Sequence, residues 1–369
     1  MRVAQVAPLY ETVPPTGYGG TERVIAALTD ELQRSGHDVT LFAADESTTS
    51  ARLEPMAPSP LRTRMTRAEI MDVAPHLHLQ MLSQVYQRAD EFDIIHSHVD
   101  IWTLPFAAAA STPTLLTMHG RLDLDVVQSI VGLYPDVPLV SISEDQRIPL
   151  RGRNVRWAGT VPNGLDLSMY LSTPRGRGDY LAFVGRVSPE KGPLKAVEVA
   201  WRTGWNLGVA AKIDPLDMDY YRDRVERWFL SDGVNFIGEI EERSKPAFYA
   251  GAAATLFPSD WPEPFGLVMI ESMAAGTPVI ALRRGSVPEV IVDGVTGFIC
   301  DDVDAMVKAV GRIGEIDPRA CRCHAATFNG SAMAAAYTRI YHQLARSTPR
   351  RSVHQKIVDT TWSTVPATP

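Results

Sequence analysis

The stretch Pro258-Ser259-Asp260-Trp261-Pro262-Glu263-Pro264-Phe265-Gly266-Leu267-Val268-Met269-Ile270-Glu271-Ser272-Met273-Ala274-Ala275-Gly276 carries most of the fold and function. It reads as a loop stiffened by Pro262 and Pro264, then a helix starting near Phe265 and stopped by Gly276. Glu271 falls inside an otherwise apolar helix. A carboxylate held there needs hydrogen-bond donors, and a sugar diol has two adjacent O–H groups to give. The helix N-terminus presents amides to an anion, and Glu263 adds a second hydroxyl acceptor beside it.

Apolar runs flank this segment on both sides. Ala254–Phe257 and Pro278–Ala281 read as buried strands, as do Tyr180–Gly185, Leu207–Ala211 and Val234–Ile237. A similar alternation occupies the first half. Residues 2–7 read as a strand, 20–35 as a helix ending at Gly36, and 39–43, 92–96, 114–117 and 139–142 as further strands. Strands alternating with helix-length segments predict α/β architecture with mostly parallel sheets. The Pro- and Gly-rich run 161–178 between the halves reads as a hinge.

The length of 369 residues suits two domains rather than one core. Lys and Arg total 36 and Asp and Glu 43, a net charge of −7, which argues against nucleic-acid binding. Three cysteines, Cys300, Cys321 and Cys323, argue against a disulfide scaffold, and the Cys321-Arg322-Cys323-His324 spacing does not suit structural zinc. The N-terminal run reads as a first strand rather than a leader, and no window is apolar for long enough to span a membrane. A cytoplasmic protein is expected.

Two more loops can hold a ligand. Gly19 and Gly20 precede a helix, which suits close backbone approach to an anion, although the spacing is wrong for a dinucleotide fingerprint. Alternatively they only make a turn before a Thr cap. Gly185-Arg186-Val187-Ser188-Pro189-Glu190-Lys191-Gly192 follows a strand, so Arg186 and Lys191 lie at the sheet edge where α/β proteins bind ligands. A guanidinium with an ammonium suits a diphosphate. Residues 44–70, with Arg52, Arg62, Arg64 and Arg67, read as an irregular, solvated surface loop; contact with an acceptor or a membrane surface is the alternative. The triplets Asp123-Leu124-Asp125 and Asp217-Met218-Asp219 are assigned to loops or helix surface, and His96-Ser97-His98 to polar structure at a strand end.

Glu263-x7-Glu271, the Gly185–Gly192 loop, Gly19-Gly20 and Thr117-Met118-His119-Gly120 together resemble the retaining glycosyltransferases of family 4. The resemblance runs from about residue 1 to 345 and implies a GT-B fold, two Rossmann-like domains facing across a cleft. The implied division is 1–162 on the acceptor side and 163–330 on the nucleotide-sugar side. A C-terminal helix of about 331–345 packs back on the first domain, and 346–369 form a tail.

The resemblance also implies roles. Arg186, Lys191, Gly19, Gly20 and the amides of Phe265, Gly266 and Leu267 hold the donor diphosphate. Glu271 binds the ribose, and Glu263 the hydroxyls of the transferred sugar. His119 lies near the anomeric carbon, and Ile237, Gly238 and Glu239 flank the base. No cofactor and no obligatory metal are implied. The donor is a UDP-, GDP- or ADP-type sugar and the acceptor a sugar, lipid or small molecule. The alternatives are an epimerase or phosphorylase of the same architecture, or a two-lobed binding protein without turnover.

Overall fold

The computed structural model describes residues 1–176 and 178–347. Two sheets organise the chain. The first holds β1 (Arg2–Val6), β2 (Asp38–Ala44), β3 (Arg52–Ala57), β4 (Ile94–Ser97), β5 (Thr114–Thr117), β6 (Leu139–Ser141) and β7 (Trp157–Thr160), in the order β3-β2-β1-β4-β5-β6-β7. The second holds β8 (Tyr180–Arg186), β9 (Asn206–Lys212), β10 (Val234–Phe236), β11 (Ala254–Phe257), β12 (Val279–Leu282) and β13 (Gly297–Cys300), in the order β10-β9-β8-β11-β12-β13.

Every strand pair in both sheets is parallel. Central strands such as β4, β5, β11 and β12 are buried along their whole length, because helices cover both faces of a parallel sheet. That explains why they read as continuous apolar runs rather than alternating ones.

Strand order reverses between β1 and β4 in the first sheet and between β8 and β11 in the second. Ligands bind outside the carboxyl ends of the strands at such points. The Gly19-Gly20 loop follows β1, the Arg186–Lys191 loop follows β8, and the Glu263 loop follows β11. All three sequence-predicted ligand loops therefore leave the sheets at their two switch points.

Helix α1 (Gly20–Arg34) buries Val24, Ile25, Leu28 and Leu32 along one stripe. The last described helix, Gly330–Ser347, buries Met333, Ala334, Tyr337, Ile340, Tyr341 and Leu344 at helical spacing and packs on α1. Tyr341 and Tyr337 reach the first sheet, at Gln5 and Thr117 respectively. The chain crosses between the halves near Leu165 and returns near Asn329, and these two residues bridge to each other. Residues 348–369, most of the tail, lie outside the described residues.

Residues 44–70 correct the sequence reading. They contain β3, which pairs with β2 at the sheet edge, and the start of a helix over Arg67–Gln87. Pro55 is tolerated because β3 is an edge strand. Thr66 and Glu69 cap the helix reciprocally, with the Thr66 amide donating to Glu69 at 2.7 Å. The Thr66-x-x-Glu69 spacing was a legible capping signal. The helix of the opening stretch also differs. It runs over Leu267–Ala274, so Phe265 and Gly266 precede it, and Glu271 lies little more than one turn in.

Candidate active site

A cavity of about 910 Å³ lies between the two halves and is lined by Gly19, Gly20, His119, Arg186, Lys191 and Glu263. Phe265, Gly266, Leu267, Glu271 and Glu239 line it as well. Ile237 and Gly238 do not, so of the three residues expected near the base only Glu239 reaches the cavity. The Glu239 carboxylate accepts from the Tyr18 amide at 2.7 Å, which ties the β10 end to the first glycine loop.

Gly19 and Gly20 open α1 directly, Gly19 at the N-cap position. The N-cap residue is a glycine and makes no side-chain cap, and Thr21 lies inside the helix, which removes the Thr-cap alternative. The Glu22 carboxylate folds back on its own amide, and the Gly20 and Thr21 amides have no intrahelical acceptor. Across the cleft, Leu267 and Val268 start a second helix, with Gly266 at its N-cap position, and their amides lack intrahelical partners for the same reason.

Lys191 ends the turn Pro189–Lys191 and is followed by Gly192, whose φ is 68°. A Cβ there would lie 2.3 Å from the Pro258 carbonyl oxygen, so only glycine lets the two ligand loops touch. The Lys191 ammonium forms an ion pair with Glu263 and lies 5.4 Å above the Trp261 ring, and Trp261 Nε1 donates to Glu263 at 2.8 Å. Gly285 backs the Glu263 main chain, since a Cβ on it would come within 2.4 Å of the Glu263 backbone nitrogen and oxygen. Burial lowers the Lys191 pKa and the Glu263 charge more than restores it, so the side chain is an ammonium.

Arg186 ends β8 and pairs with Glu190, and its Nε lies 3.2 Å from Asp217. Asp217 ends the short turn Pro215–Asp217, in keeping with the loop or helix-surface reading, and it helps hold the guanidinium beside the cavity. Asp123, from the other triplet, pairs with Arg121 at 2.6 Å.

Glu271 is buried at the cavity wall, and the protein provides donors to it. Arg23 of α1 pairs with one oxygen, and the Tyr249 hydroxyl donates to the other at 2.7 Å. Arg23 also donates to Glu242 at 2.6 Å, and Glu242 accepts from Tyr170 at 2.6 Å and Lys245 at 2.8 Å. Burial alone would raise the Glu271 pKa. Arg23 first, then Lys245 and the Arg23 and Tyr249 hydrogen bonds, hold it well below the usual carboxylate range. The diol expected from the sequence thus meets a carboxylate that already has partners. Arg23 went unread, although it directly follows the Gly-Gly-Thr-Glu run.

His119 stands just beyond β5, at the cavity wall. Its Nε2 lies 2.8 Å from His98 Nδ1, and His98 Nε2 lies 2.9 Å from Gln5 Oε1. An amide oxygen only accepts, so His98 Nε2 carries a proton. Neutral His98 then accepts at Nδ1, and His119 must donate from Nε2. The chain continues inward: Gln5 Nε2 donates to Tyr341 at 3.1 Å, Tyr341 lies 2.7 Å from His96 Nδ1, and His96 Nε2 lies 2.7 Å from Thr117. Burial keeps all three imidazoles neutral, with the His119 pKa lowered to about 4. The His96-Ser97-His98 run is polar strand-end structure, as read from the sequence, and it orients His119.

Among the described residues, no group of three or more His, Cys, Asp and Glu side chains is placed to hold a metal ion. Cys321 is buried and Cys323 exposed. No described helix is long and apolar enough to cross a membrane.

Comparison with known proteins bears on the family and the fold. Residues 18–168 match the family described as Glycosyltransferase Family 4, and residues 172–327 match Glycosyl transferases group 1. The glycogen synthase of Mycobacterium tuberculosis is 26% identical over 87% of this chain and 88% of its own. The D-inositol 3-phosphate glycosyltransferase of Corynebacterium glutamicum is 26% identical over 93% and 96%. AviGT4, a glycosyltransferase involved in avilamycin A biosynthesis, superposes with a TM-score of 0.67 at 26% identity, over 94% of this chain and 98% of its own. The two family matches fall on the two halves of the fold and leave little of the chain unmatched between them, so the protein is a glycosyltransferase of family 4 with the GT-B fold.

Proposed function

We propose that the protein transfers a sugar from a nucleoside-diphosphate sugar to a hydroxyl acceptor with retention of anomeric configuration. One observation carries this reading. Lys191 and Glu263 meet between two helix N-termini, those of Gly20 and Leu267, which face each other across one cavity. Cationic and amide donors for a diphosphate thus adjoin a carboxylate for sugar hydroxyls.

Arg186, Lys191 and the amides at Gly19, Gly20, Gly266 and Leu267 hold the diphosphate, and Phe265 shapes the turn before them. They stabilise the charge that develops as the C1–O bond breaks and the phosphate oxygen keeps the electron pair. No metal is needed for that charge. Glu263 orients the transferred sugar, and Glu271 accepts ribose hydroxyls with its remaining lone pairs. Glu239 faces the base. Neutral His119 lies near the anomeric carbon and contributes a hydrogen bond rather than an acid. The acceptor oxygen attacks from the face the phosphate leaves, and its proton passes to the departing phosphate oxygen. With the acceptor held by the first half and the donor by the second, closure of the cleft brings them together. The cytoplasm supplies such donors.

Thermal unfolding with UDP-, GDP- and ADP-sugars tests the donor site. Ligand at a hundred times its Kd adds about 2.7 kcal/mol, a clear rise in Tm. No rise with any of the three rejects the reading. Retention is read from the anomeric proton coupling of the product.

A further inference from the structure

His119 and Glu263 stand on opposite halves of the cavity, on the loops that follow β5 and β11. A continuous series of hydrogen bonds joins these two loops, and no step of the chemistry above uses it. We infer that Glu289 and Gln146 are positioning residues for the transfer: Glu289 docks the second half onto the first, and Gln146 passes that docking on to His119. The word transfer rests on the glycosyl-transfer reading, whereas the docking stands on its own contacts.

The second-half end is the short helix Val287–Val290, which follows β12. Directly before it, the Ser286 amide donates to the Glu263 carbonyl at 3.0 Å, and the Ser286 hydroxyl donates to the Phe265 carbonyl at 2.7 Å. The Glu289 amide in turn donates to the Ser286 carbonyl at 2.8 Å. The Glu263 loop and Glu289 therefore move as one piece.

Glu289 reaches across to the first half. Its Oε2 accepts from the Glu144 amide and its Oε1 from the Asp145 amide, each at 2.8 Å. These amides open the turn Asp145–Leu150, where no preceding turn supplies a main-chain acceptor. The side chains of Glu144 and Asp145 carry the same sign as Glu289. Net charge thus opposes the contact, and the two charge-assisted bonds to the main chain hold it.

Gln146 comes next and is buried. Its Oε1 accepts from the Ile142 amide at 2.9 Å, which settles which end of the side-chain amide is nitrogen. Both Nε2 protons go to the loop after β5. They are donated to the carbonyls of Met118 and Gly120, each at 2.9 Å. Those carbonyls flank His119, so one buried side chain holds the main chain on both sides of it. When the halves part, the series breaks at Glu289, because every other bond in it lies within one half. Coupling through such a series shows as a response at His119 to a change at Glu289.

The test uses the full chain with Glu289→Ala, Glu289→Gln and Gln146→Met. Without any ligand, hydrogen exchange is read at the Glu144 and Asp145 amides, and ring nitrogen shifts are read at His119. The His119 signals are assigned by their loss in His119→Gln. Glu289→Ala is expected to speed exchange at both amides about tenfold or more, each losing a charge-assisted hydrogen bond, and to move the His119 signals. Glu289→Gln keeps one acceptor oxygen and is expected to fall between wild type and Glu289→Ala. Gln146→Met is expected to move the His119 signals as well. Glu289 is exposed, so Glu289→Ala leaves the core intact and gives a result even if Gln146→Met does not fold.

UDP-glucose, GDP-mannose and ADP-glucose are then titrated. For any that binds, turnover is followed as hydrolysis to the free sugar and nucleoside diphosphate, with water as the acceptor. In Glu289→Ala the donor Kd is expected to stay within about twofold, because Lys191 and Arg186 keep their partners, while kcat falls about tenfold. Unchanged exchange at Glu144 and Asp145, unmoved His119 signals in Glu289→Ala or in a folded Gln146→Met, or a kcat that does not fall overturns the assignment. His119 signals that respond to Glu289→Ala, in a chain that binds none of the three nucleotide sugars, support the linkage and reject the donor reading instead.

Discussion

Arg23 in the first half forms a buried ion pair with Glu271 in the second, joining residues 248 positions apart across the cleft. The pair sits in a wider set of partners, with Tyr249 on Glu271 and Glu242 on Arg23. Removing one member leaves the other charge buried without its counterpart. Arg23→Met is expected to cost about 3–5 kcal/mol of stability, read from urea unfolding. Arg23→Met combined with Glu271→Met should cost clearly less than the sum of the single changes, because no charge is stranded. Additive losses would reject the coupling.

Lys191→Ala removes the ammonium that neutralises Glu263 and, in the proposed site, contacts the diphosphate. Donor affinity is expected to fall about ten- to a hundredfold, the worth of one charge-assisted hydrogen bond. Titration with the nucleotide sugar that raises Tm gives the value. Wild-type affinity would remove Lys191 from the site.

The neutral His119–His98 pair predicts a pH response. With a folded pKa near 4, His119 stays neutral where a free imidazole, of pKa about 6.5, charges. Its stability contribution is complete above about pH 6.5 and is lost as pH falls towards 4. His96 and His98 act in the same direction. Urea midpoints should therefore drop across that window. Ring nitrogen shifts at pH 6 should show neutral His119 protonated on Nε2. His98→Asn, whose Oδ1 can replace Nδ1 as acceptor, should retain that tautomer, and His98→Leu should lose it.

Glu22 works in the opposite sense. Burial raises its pKa to about 7, so the folded state binds a proton that the unfolded state releases near pH 4.5. Its contribution is complete below about 4.5 and lost as pH rises through 7, on the order of 3 kcal/mol. Glu22→Gln should abolish this part of the pH dependence and be the more stable protein at pH 8. Parallel stability profiles for the two proteins would reject the assignment.

Much of this was legible in the chain. The strand-loop-helix order, the glycines at the ligand loops and the stop at Gly276 follow from short-range rules, because backbone conformation at a turn or helix end depends on a few adjacent residues. The placing of Gly19-Gly20, Arg186–Lys191 and Glu263 at carboxyl strand ends needed only the alternation of elements. Local reading failed where proline density suggested an irregular loop over 44–70. There the edge position of β3 made Pro55 harmless, and a Thr66–Glu69 cap started a helix.

The partners of the site residues were not legible. A buried carboxylate at 271 could be recognised as needing donors, but whether a ligand or Arg23 provides them depends on how the two halves meet. The proton order from Gln5 to His119 depends likewise on residues 5, 96, 98, 119 and 341 being brought together by a parallel sheet and a returning helix. Charge and hydrogen-bond energies fall off over a few ångströms of space, whatever the separation along the chain. Sequence therefore determined the elements and the loops that carry chemistry, and the tertiary structure alone decided which groups neutralise one another and which are left facing the cleft.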